Sequence, residues 1–191
     1  DLCAPFDRDR KGLNLGEGAG VLVLETKHSA QKRGKASDLY LLGYGSSSDA
    51  YHLTSPHPEG VGLAASINKA LKESGIKPED IIFVNAHGTA TIENDKVEGK
   101  VLANIFGQGL KMLSTKGFTG HTLGAAGGLE AVFTAAALQE GWIPASIGFS
   151  NKDDAIPVIP VMEMTKINGR FALSTSLAFG GNNAALLLGR L

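Results

Sequence analysis

Two histidines in this chain each follow a short apolar run and stand beside a glycine. His87 lies three residues after the apolar run 81–84, and His121 lies seven residues after the short predicted strand 112–114. Because the carboxyl ends of neighbouring parallel strands meet at one edge of a sheet, we expect both imidazoles in the same place. Two such rings can donate hydrogen bonds to one developing oxyanion, and each donor of this kind is worth about 2.7–4 kcal/mol. His87 taken alone could instead be a loop residue that hydrogen-bonds its own turn.

A lysine and a glutamate accompany the second histidine. Lys116 lies five residues before His121 (121 − 116), where its charge favours neutral imidazoles over protonated ones. Glu130 falls on the helix predicted to follow, within reach of Lys116 as its counter-charge. Lys116 by itself is also consistent with a solvated lysine at a strand end, and only the nearby histidines favour a site.

Threonines and acidic residues follow the first histidine. Thr89 and Thr91 alternate beyond the turn, so both hydroxyls can face one channel and bind an amide-rich arm. Asp95 and Glu98 lie three residues apart on the next predicted helix and share a face (98 − 95). Acidic side chains near a helix amino terminus are also favoured by the helix dipole alone, which is the alternative explanation for this pair.

The sequence offers no convincing nucleophile for these groups. Cys3 is the sole cysteine, and it precedes Ala-Pro instead of a strand-to-helix turn where a thiolate is stabilised. A thiol hydrolase built on Cys3 is a further hypothesis, and it predicts that alkylation of this thiol abolishes activity. His52 and His57 have no nearby cysteine or paired carboxylate, so we predict no metal site.

Composition excludes several functional classes. The 191 residues are 43% hydrophobic and 19% charged with a net charge of −1, which gives no general electrostatic reason to bind nucleic acid or an anionic membrane. No stretch approaches the roughly 20 apolar residues of a membrane span. A single cysteine precludes an internal disulfide and fits a reducing, cytoplasmic compartment. The missing initiator Met suggests that the sequence is part of a longer protein.

Hydrophobic periodicity predicts an α/β protein. The predicted strands cover residues 21–24, 39–45, 81–84, 112–114, 171–176 and 184–188, and the predicted helices cover 25–33, 61–74, 93–106 and 123–139. Their alternation from residue 39 predicts a mainly parallel sheet with helices on its faces, closed by an antiparallel hairpin. The last helix is expected to turn Leu129, Val132, Phe133 and Ala136 inward. The glycines at 16–20 lack dinucleotide-binding spacing and precede a predicted strand, which favours close packing over phosphate binding.

Four ordered motifs carry a resemblance to a known family. They are Pro5-Phe6-Asp7 with Gly16-Glu17-Gly18-Ala19-Gly20, Asn85-Ala86-His87-Gly88-Thr89-Ala90-Thr91, Thr115-Lys116-Gly117 with Gly120-His121-Thr122-Leu123-Gly124, and Phe179-Gly180-Gly181 with Asn183. Together they resemble the carboxyl-terminal half of a β-ketoacyl-acyl-carrier-protein synthase of the KAS I/II type. The resemblance implies a thiolase-like layered αβαβα fold. It makes residues 1–38 the end of the amino-terminal half, with its closing strand, and 39–191 the carboxyl-terminal half.

The resemblance also implies roles for individual residues. His87 and His121 would assist malonyl decarboxylation and stabilise the enolate, with Lys116 and its partner Glu130 supporting them. The implied substrate-binding residues are Thr89, Thr91, Phe179, Asp95 and Glu98, with the threonines contacting phosphopantetheine and Phe179 acting as the gate. Some members hold a monovalent cation at the positions of Asn85, Glu130 and Ser174.

The implied activity is a decarboxylating Claisen condensation of malonyl-acyl carrier protein with an acyl thioester. No resident cofactor is expected, because phosphopantetheine arrives on the carrier protein. The expected partners are that carrier protein, an amino-terminal half that bears the nucleophilic cysteine, and a second copy in a homodimer. The alternative is a non-catalytic partner subunit of the chain-length-factor type. The gate departs from the family's Phe-Gly-Phe-Gly-Gly-Thr-Asn, because Leu177, Ala178 and Asn182 replace its Phe, Gly and Thr.

Overall fold

A five-stranded mixed sheet organises residues 2–191, the part of the chain that the computed structural model describes. The helices are α1 Lys27–Lys32, α2 Val61–Ser74, α3 Ile92–Phe106, α4 Lys116–Thr119 and α5 Ala126–Glu140. The strands are β1 Leu39–Ser48, β2 Ile81–Asn85, β3 Met112–Leu113, β4 Trp142–Ile143, β5 Thr165–Lys166, β6 Phe171–Ala178 and β7 Asn182–Arg190. None of the helices in this range has both the length and the apolarity that crossing a bilayer requires.

The sheet runs in the order β1-β7-β6-β2-β3. Strand β2 pairs in parallel with both β3 and β6, whereas β7 pairs antiparallel with β6 and with β1. The predicted alternation and the closing hairpin are therefore confirmed, whereas the prediction of a mainly parallel sheet is wrong, because β1 pairs antiparallel with β7 and only two of the four pairings in this sheet are parallel. The sequence did not predict α4 or the separate pair β4 and β5, because elements of two to four residues are too short to show a period.

Two apolar clusters lie on opposite faces of this sheet. Side chains alternate along β2, so Val84 joins the cluster under α2 and α3 while Phe83 joins the one under α5. The first cluster includes Ile67 of α2 and Leu102 of α3. The second includes Leu138 of α5. The result is a layer of two helices, a sheet, and a layer that holds α5.

Helix α5 turns a different face to the sheet from the one we predicted. Ala131, Ala135 and Leu138 are buried against the sheet, whereas Phe133 is 37% exposed. The helix carries apolar residues on all of its sides, so its sequence does not single out one inward face.

Glycines allow several close backbone approaches. A Cβ on Gly45 of β1 would lie 1.9 Å from the carbonyl oxygen of Ser66 in α2. A Cβ on Gly20 would lie 2.6 Å from the backbone of Gly128 in α5. The segment 16–20 is therefore a packing element, which agrees with the interpretation we favoured over phosphate binding.

The apolar run that follows Gly20 does not form the predicted strand. Val21 and Val23 are 81% and 92% exposed, and residues 21–24 pair with no strand in the described part of the chain. A β-strand needs a hydrogen-bonded neighbour, and this run has none within residues 2–191. The domain boundary that we place between residues 38 and 39 falls at the start of β1 and stays a prediction.

Strand β1 forms one edge of the sheet, and two side chains of α2 cover part of that edge. The Tyr44 amide donates to the Glu73 carboxylate at 2.9 Å, and the Lys69 ammonium donates to the Ser46 carbonyl at 3.2 Å. Both backbone groups would otherwise be free to pair with another strand.

The close approach of α2 to β1 predicts a specific stability defect. Gly45→Ala should destabilise the protein by about 1–3 kcal/mol, because the new methyl group overlaps the Ser66 carbonyl and forces the helix away. Urea unfolding measures this loss. Gly109→Ala is the matched control, since nothing lies within 4 Å of its added Cβ, and we expect a change within about 0.5 kcal/mol. Equal effects of the two substitutions would contradict the packing described here.

Candidate active site

A buried carboxylate fixes the backbone that presents His87. The chain leaves β2 at Asn85, and the amides of His87 and Gly88 both donate to the Glu98 carboxylate of α3 at 2.8 Å. The Thr175 hydroxyl of β6 donates to the same carboxylate at 2.8 Å. These bonds connect the loop to α3 and to β6, which fixes the position of the His87 backbone and therefore of its side chain.

A buried ammonium sets the tautomer of His87. Lys116 is 1% exposed, forms an ion pair with Glu130, and lies 3.1 Å from the Nδ1 atom of His87. It also donates to the His87 carbonyl at 2.6 Å. An ammonium can only donate, so Nδ1 accepts and the ring proton of a neutral His87 lies on Nε2.

The second histidine has the same tautomer for a different reason. The backbone amide of Leu123 donates to the Nδ1 atom of His121 at 3.1 Å, which again leaves the proton on Nε2. Leu123 adopts a left-handed conformation with φ 53°, which is rare for a leucine and turns its amide toward the ring. The ring centroids of His87 and His121 lie 5.2 Å apart with the ring planes at 84°, and both residues line the same cleft.

Burial and charge keep both imidazoles neutral. Desolvation lowers the pKa of His87 well below its ordinary value, and the charge of Lys116 lowers it further, as would a proton on His121. The pKa of His121 is also lowered, first by burial and then by Lys116. Burial raises the pKa of Glu130 to about 7, although the adjacent ammonium opposes that change.

A large cleft lies in front of the two histidines. Its volume is about 1090 Å³, and its walls are mostly apolar. The predicted site residues on its wall are His87, His121, Thr89, Thr91, Phe179 and Ser174. The hydroxyl oxygens of Thr89 and Thr91 lie 2.9 Å apart, and Phe179 is 72% exposed on the turn between β6 and β7.

Asp95 and Glu98 do not lie on this wall. Both are fully buried, and their carboxylates accept hydrogen bonds from backbone amides. Asp95 accepts from the amides of Phe6 at 2.6 Å and Ala90 at 3.2 Å, and burial raises its pKa to about 6. The two carboxylates therefore support the loop from beneath, and the substrate-binding role that the resemblance implied for them stays a prediction.

Two of the three cation candidates carry oxygens without partners. Asn85 Oδ1 and Glu130 Oε2 are buried and accept no hydrogen bond within residues 2–191. The amide group of Asn85 donates to the Glu130 carbonyl at 3.2 Å, so the two residues are neighbours. Unpaired oxygens of this kind fit a hard monovalent cation, whereas Ser174 faces the cleft.

Cys3 is poorly suited to nucleophilic chemistry. The thiol is 2% exposed, does not line the cleft, and lies 3.8 Å from the Thr89 carbonyl. Burial raises its pKa, which disfavours the reactive thiolate.

Sequence reasoning missed two hydroxyl residues that support the site. Ser114 donates to the Gly88 carbonyl at 2.8 Å and accepts from the Lys116 amide at 3.3 Å. Thr175 bonds Glu98, as described above. The signal that could have found them is a hydroxyl at the end of, or within, an otherwise apolar run, since a buried hydroxyl needs partners.

The lysine predicts a measurable shift in histidine titration. Lys116→Met should raise the pKa of His87, because it removes a positive charge that opposes protonation of the ring. Glu130, deprived of its counter-charge, should then keep its proton to higher pH. NMR titration of the His87 ring protons measures the change. Lys152→Met removes an exposed charge as the control, and an identical His87 midpoint in both variants would contradict this account.

Comparison with known proteins places these motifs in a family. The family described as "Beta-ketoacyl synthase, C-terminal domain" matches residues 40–150. The chain is 42% identical over 190 residues to the 3-oxoacyl-[acyl-carrier-protein] synthase 2 of Staphylococcus aureus, a match that covers 97% of this chain and 47% of that protein. The chain therefore spans about half the length of this curated relative.

Solved structures of ketosynthases also match this chain. The ishigamide ketosynthase/chain length factor superposes with a TM-score of 0.93 at 40% identity, over all of this chain and 47% of the other. A ketosynthase solved with its type II polyketide synthase acyl-carrier protein superposes at 0.93 and 29% identity, over all of this chain and 48% of the other. These similarities confirm the thiolase-like fold that the resemblance implied. The chain belongs to the β-ketoacyl synthase family, in which it matches the carboxyl-terminal domain.

Proposed function

We propose that this chain supplies the decarboxylation site of a β-ketoacyl-acyl-carrier-protein synthase. One observation carries the proposal: His87 and His121 present two neutral Nε2–H donors from rings 5.2 Å apart, beside a large cleft. Neutral donors fixed by hydrogen bonds at Nδ1 suit a developing oxyanion, because they are already oriented before charge appears.

The reaction proceeds in two steps. The thioester carbonyl oxygen of a malonyl group accepts from both Nε2 atoms, and the bond from its α-carbon to the carboxylate breaks. That electron pair forms an enolate whose oxygen the two donors stabilise, and carbon dioxide leaves. The enolate carbon then attacks the carbonyl carbon of an acyl thioester, and the cysteine thiolate departs as the new carbon–carbon bond forms.

Lys116 keeps the donors in the correct state for this chemistry. A protonated His87 would sit beside the ammonium, so the ring stays neutral and retains its proton only on Nε2. The apolar cleft excludes water that would otherwise protonate the enolate. Thr89 and Thr91 contact the phosphopantetheine arm, and Phe179 gates entry beside the nucleophile. The unpaired oxygens of Asn85 and Glu130 would bind a monovalent cation.

The remaining parts of the enzyme come from partners. The nucleophilic cysteine lies in an amino-terminal half, the substrates arrive on acyl carrier protein, and no resident cofactor is required. The exposed run 21–24 would form the closing strand of that amino-terminal half by pairing with a neighbour from it, and its exposure in this chain supports that proposal. We further propose a homodimer in the cytoplasm, where a protein with one free, buried cysteine suits reducing conditions.

A non-catalytic role of the chain-length-factor type fits the site less well. Such a subunit has no use for two oriented imidazoles beside a buried ion pair. Burial of a lysine and a glutamate costs free energy, and a catalytic role explains why the pair is nevertheless present. The intact set of His87, His121, Lys116 and Glu130 therefore favours catalysis.

Removal of either imidazole should lower condensation strongly. His87→Ala and His121→Ala, introduced into the protein that carries both halves, should each reduce the turnover of malonyl-acyl carrier protein by roughly 10²–10³. Release of labelled carbon dioxide measures the first step directly. His28→Ala, on the exposed helix α1, is the control and should leave turnover unchanged. Full activity without both site histidines would refute the proposal.

A further inference from the structure

Arg10 is a buried arginine that joins three distant parts of the chain. Its side chain is 2% exposed. Nη1 donates to the Asp7 carbonyl and to the Asp153 carboxylate, each at 2.7 Å. Nη2 donates to the Ile92 carbonyl at 3.0 Å, and Nε donates to the Thr91 carbonyl at 3.4 Å.

The position of this guanidinium, at the amino terminus of α3, does not stabilise that helix. Thr91 is the residue before the first turn of α3, and the amino terminus of a helix repels a cation. Two carboxylates offset that repulsion, since Asp95 lies 3.7 Å from Nε and Asp153 accepts from Nη1. A charge placed here against the helix dipole needs a reason beyond holding the helix.

That reason is found at the cleft. Thr91, whose carbonyl Arg10 binds, lines the cleft together with Thr89 and the segment 11–13 that follows Arg10. The Gly12 amide donates to the Ala90 carbonyl at 3.0 Å, so the segment 11–13 is joined to the loop that carries Thr89 and Thr91. Arg10 therefore holds the Thr91 backbone directly, and Thr91 is joined to Thr89 through their hydroxyl groups, whose oxygens lie 2.9 Å apart.

The same corner contains strained backbone that needs support. Phe6 and Ala90 both adopt left-handed conformations, with φ 65° and 63°. Their amides donate to the two oxygens of Asp95, the carboxylate that faces Arg10. Arg10 thus braces Thr91 directly and Ala90 through Asp95.

We propose that Arg10 is a positioning residue that fixes Thr89 and Thr91 for binding of the substrate's thioester arm. The inference rests on the proposed function, because it takes the arm to be phosphopantetheine. Arg10 acts through backbone carbonyls and touches no reacting atom.

His87 is held by side chains other than Arg10. Glu98 holds the His87 amide, and Lys116 holds the ring, and neither side chain contacts the guanidinium. Loss of the Arg10 fork should therefore weaken arm binding and leave the oxyanion donors in place. In kinetic terms KM should change and kcat should not.

Arg10→Lys is the decisive variant. A lysine retains the charge, but its three donors radiate from one nitrogen and cannot reach the Asp7, Ile92 and Asp153 oxygens together. We expect the KM for malonyl-acyl carrier protein to rise about tenfold, the scale of lost charge-assisted hydrogen bonds, with kcat within about twofold. Arg8→Lys is the matched control, because the Arg8 side chain is 60% exposed and, within residues 2–191, hydrogen-bonds Asp9 alone.

A second substrate separates positioning from general damage. The malonyl thioester of N-acetylcysteamine lacks most of the arm, so its KM should be nearly the same for wild type and Arg10→Lys. A loss of folded protein would instead reduce the apparent kcat for both substrates and leave both KM values unchanged. A lower kcat with unchanged KM for both substrates overturns the inference. So does a KM of Arg10→Lys for the carrier-bound substrate that equals the KM of the wild type.

Two further results keep the test decisive. If Arg10→Lys fails to fold, Asp153→Asn removes one partner of the guanidinium and should raise the same KM in the same direction by a smaller factor. An unchanged KM in that variant counts against the inference. All of these variants are made in the protein that carries both halves, and an absence of malonyl turnover in the wild type of that protein would refute the proposed function itself, which is a different result.

Discussion

The buried ammonium of Lys116 is the interaction on which the site depends. Removal of such a charge from water costs several kcal/mol, so the chain must supply partners for it. Those partners are Glu130 from α5 and two acceptors of His87 after β2. One cation therefore draws a loop, a short helix and the layer behind the sheet to a single point, and a shift of any of them would leave a charge unpaired.

Backbone strain is the second constraint, and it occurs beside the functional groups. Ala90 and Leu123 are left-handed without being glycine, a conformation that costs on the order of 1–3 kcal/mol. Each is held by one acceptor, Asp95 for the first and the ring of His121 for the second. The strain at Leu123 is useful because it orients the imidazole, whereas the strain at Ala90 lets the chain turn from the His87 loop into α3.

The sequence predicted the central group of residues but not its supports. His87, His121, Lys116 and Glu130 could be brought together because strand ends meet at one edge of a parallel sheet. The spacing of Asp95 and Glu98 shows only that they share a helix face, and cannot tell whether that face meets a substrate or backbone amides. Helix α5 is apolar on all sides, so its sequence does not show which face turns inward. The run 21–24 has the composition of a strand, but strand formation depends on a hydrogen-bonded neighbour that composition does not reveal.

The bonds from α2 to the edge of β1 have a consequence for assembly. Glu73 and Lys69 occupy an amide and a carbonyl that an additional strand would use. A second copy that approached along this edge would have to displace both side chains before a continuous sheet could form across two molecules. Assembly along β1 would therefore begin with the loss of two existing hydrogen bonds, a cost that an interface elsewhere on the surface does not carry.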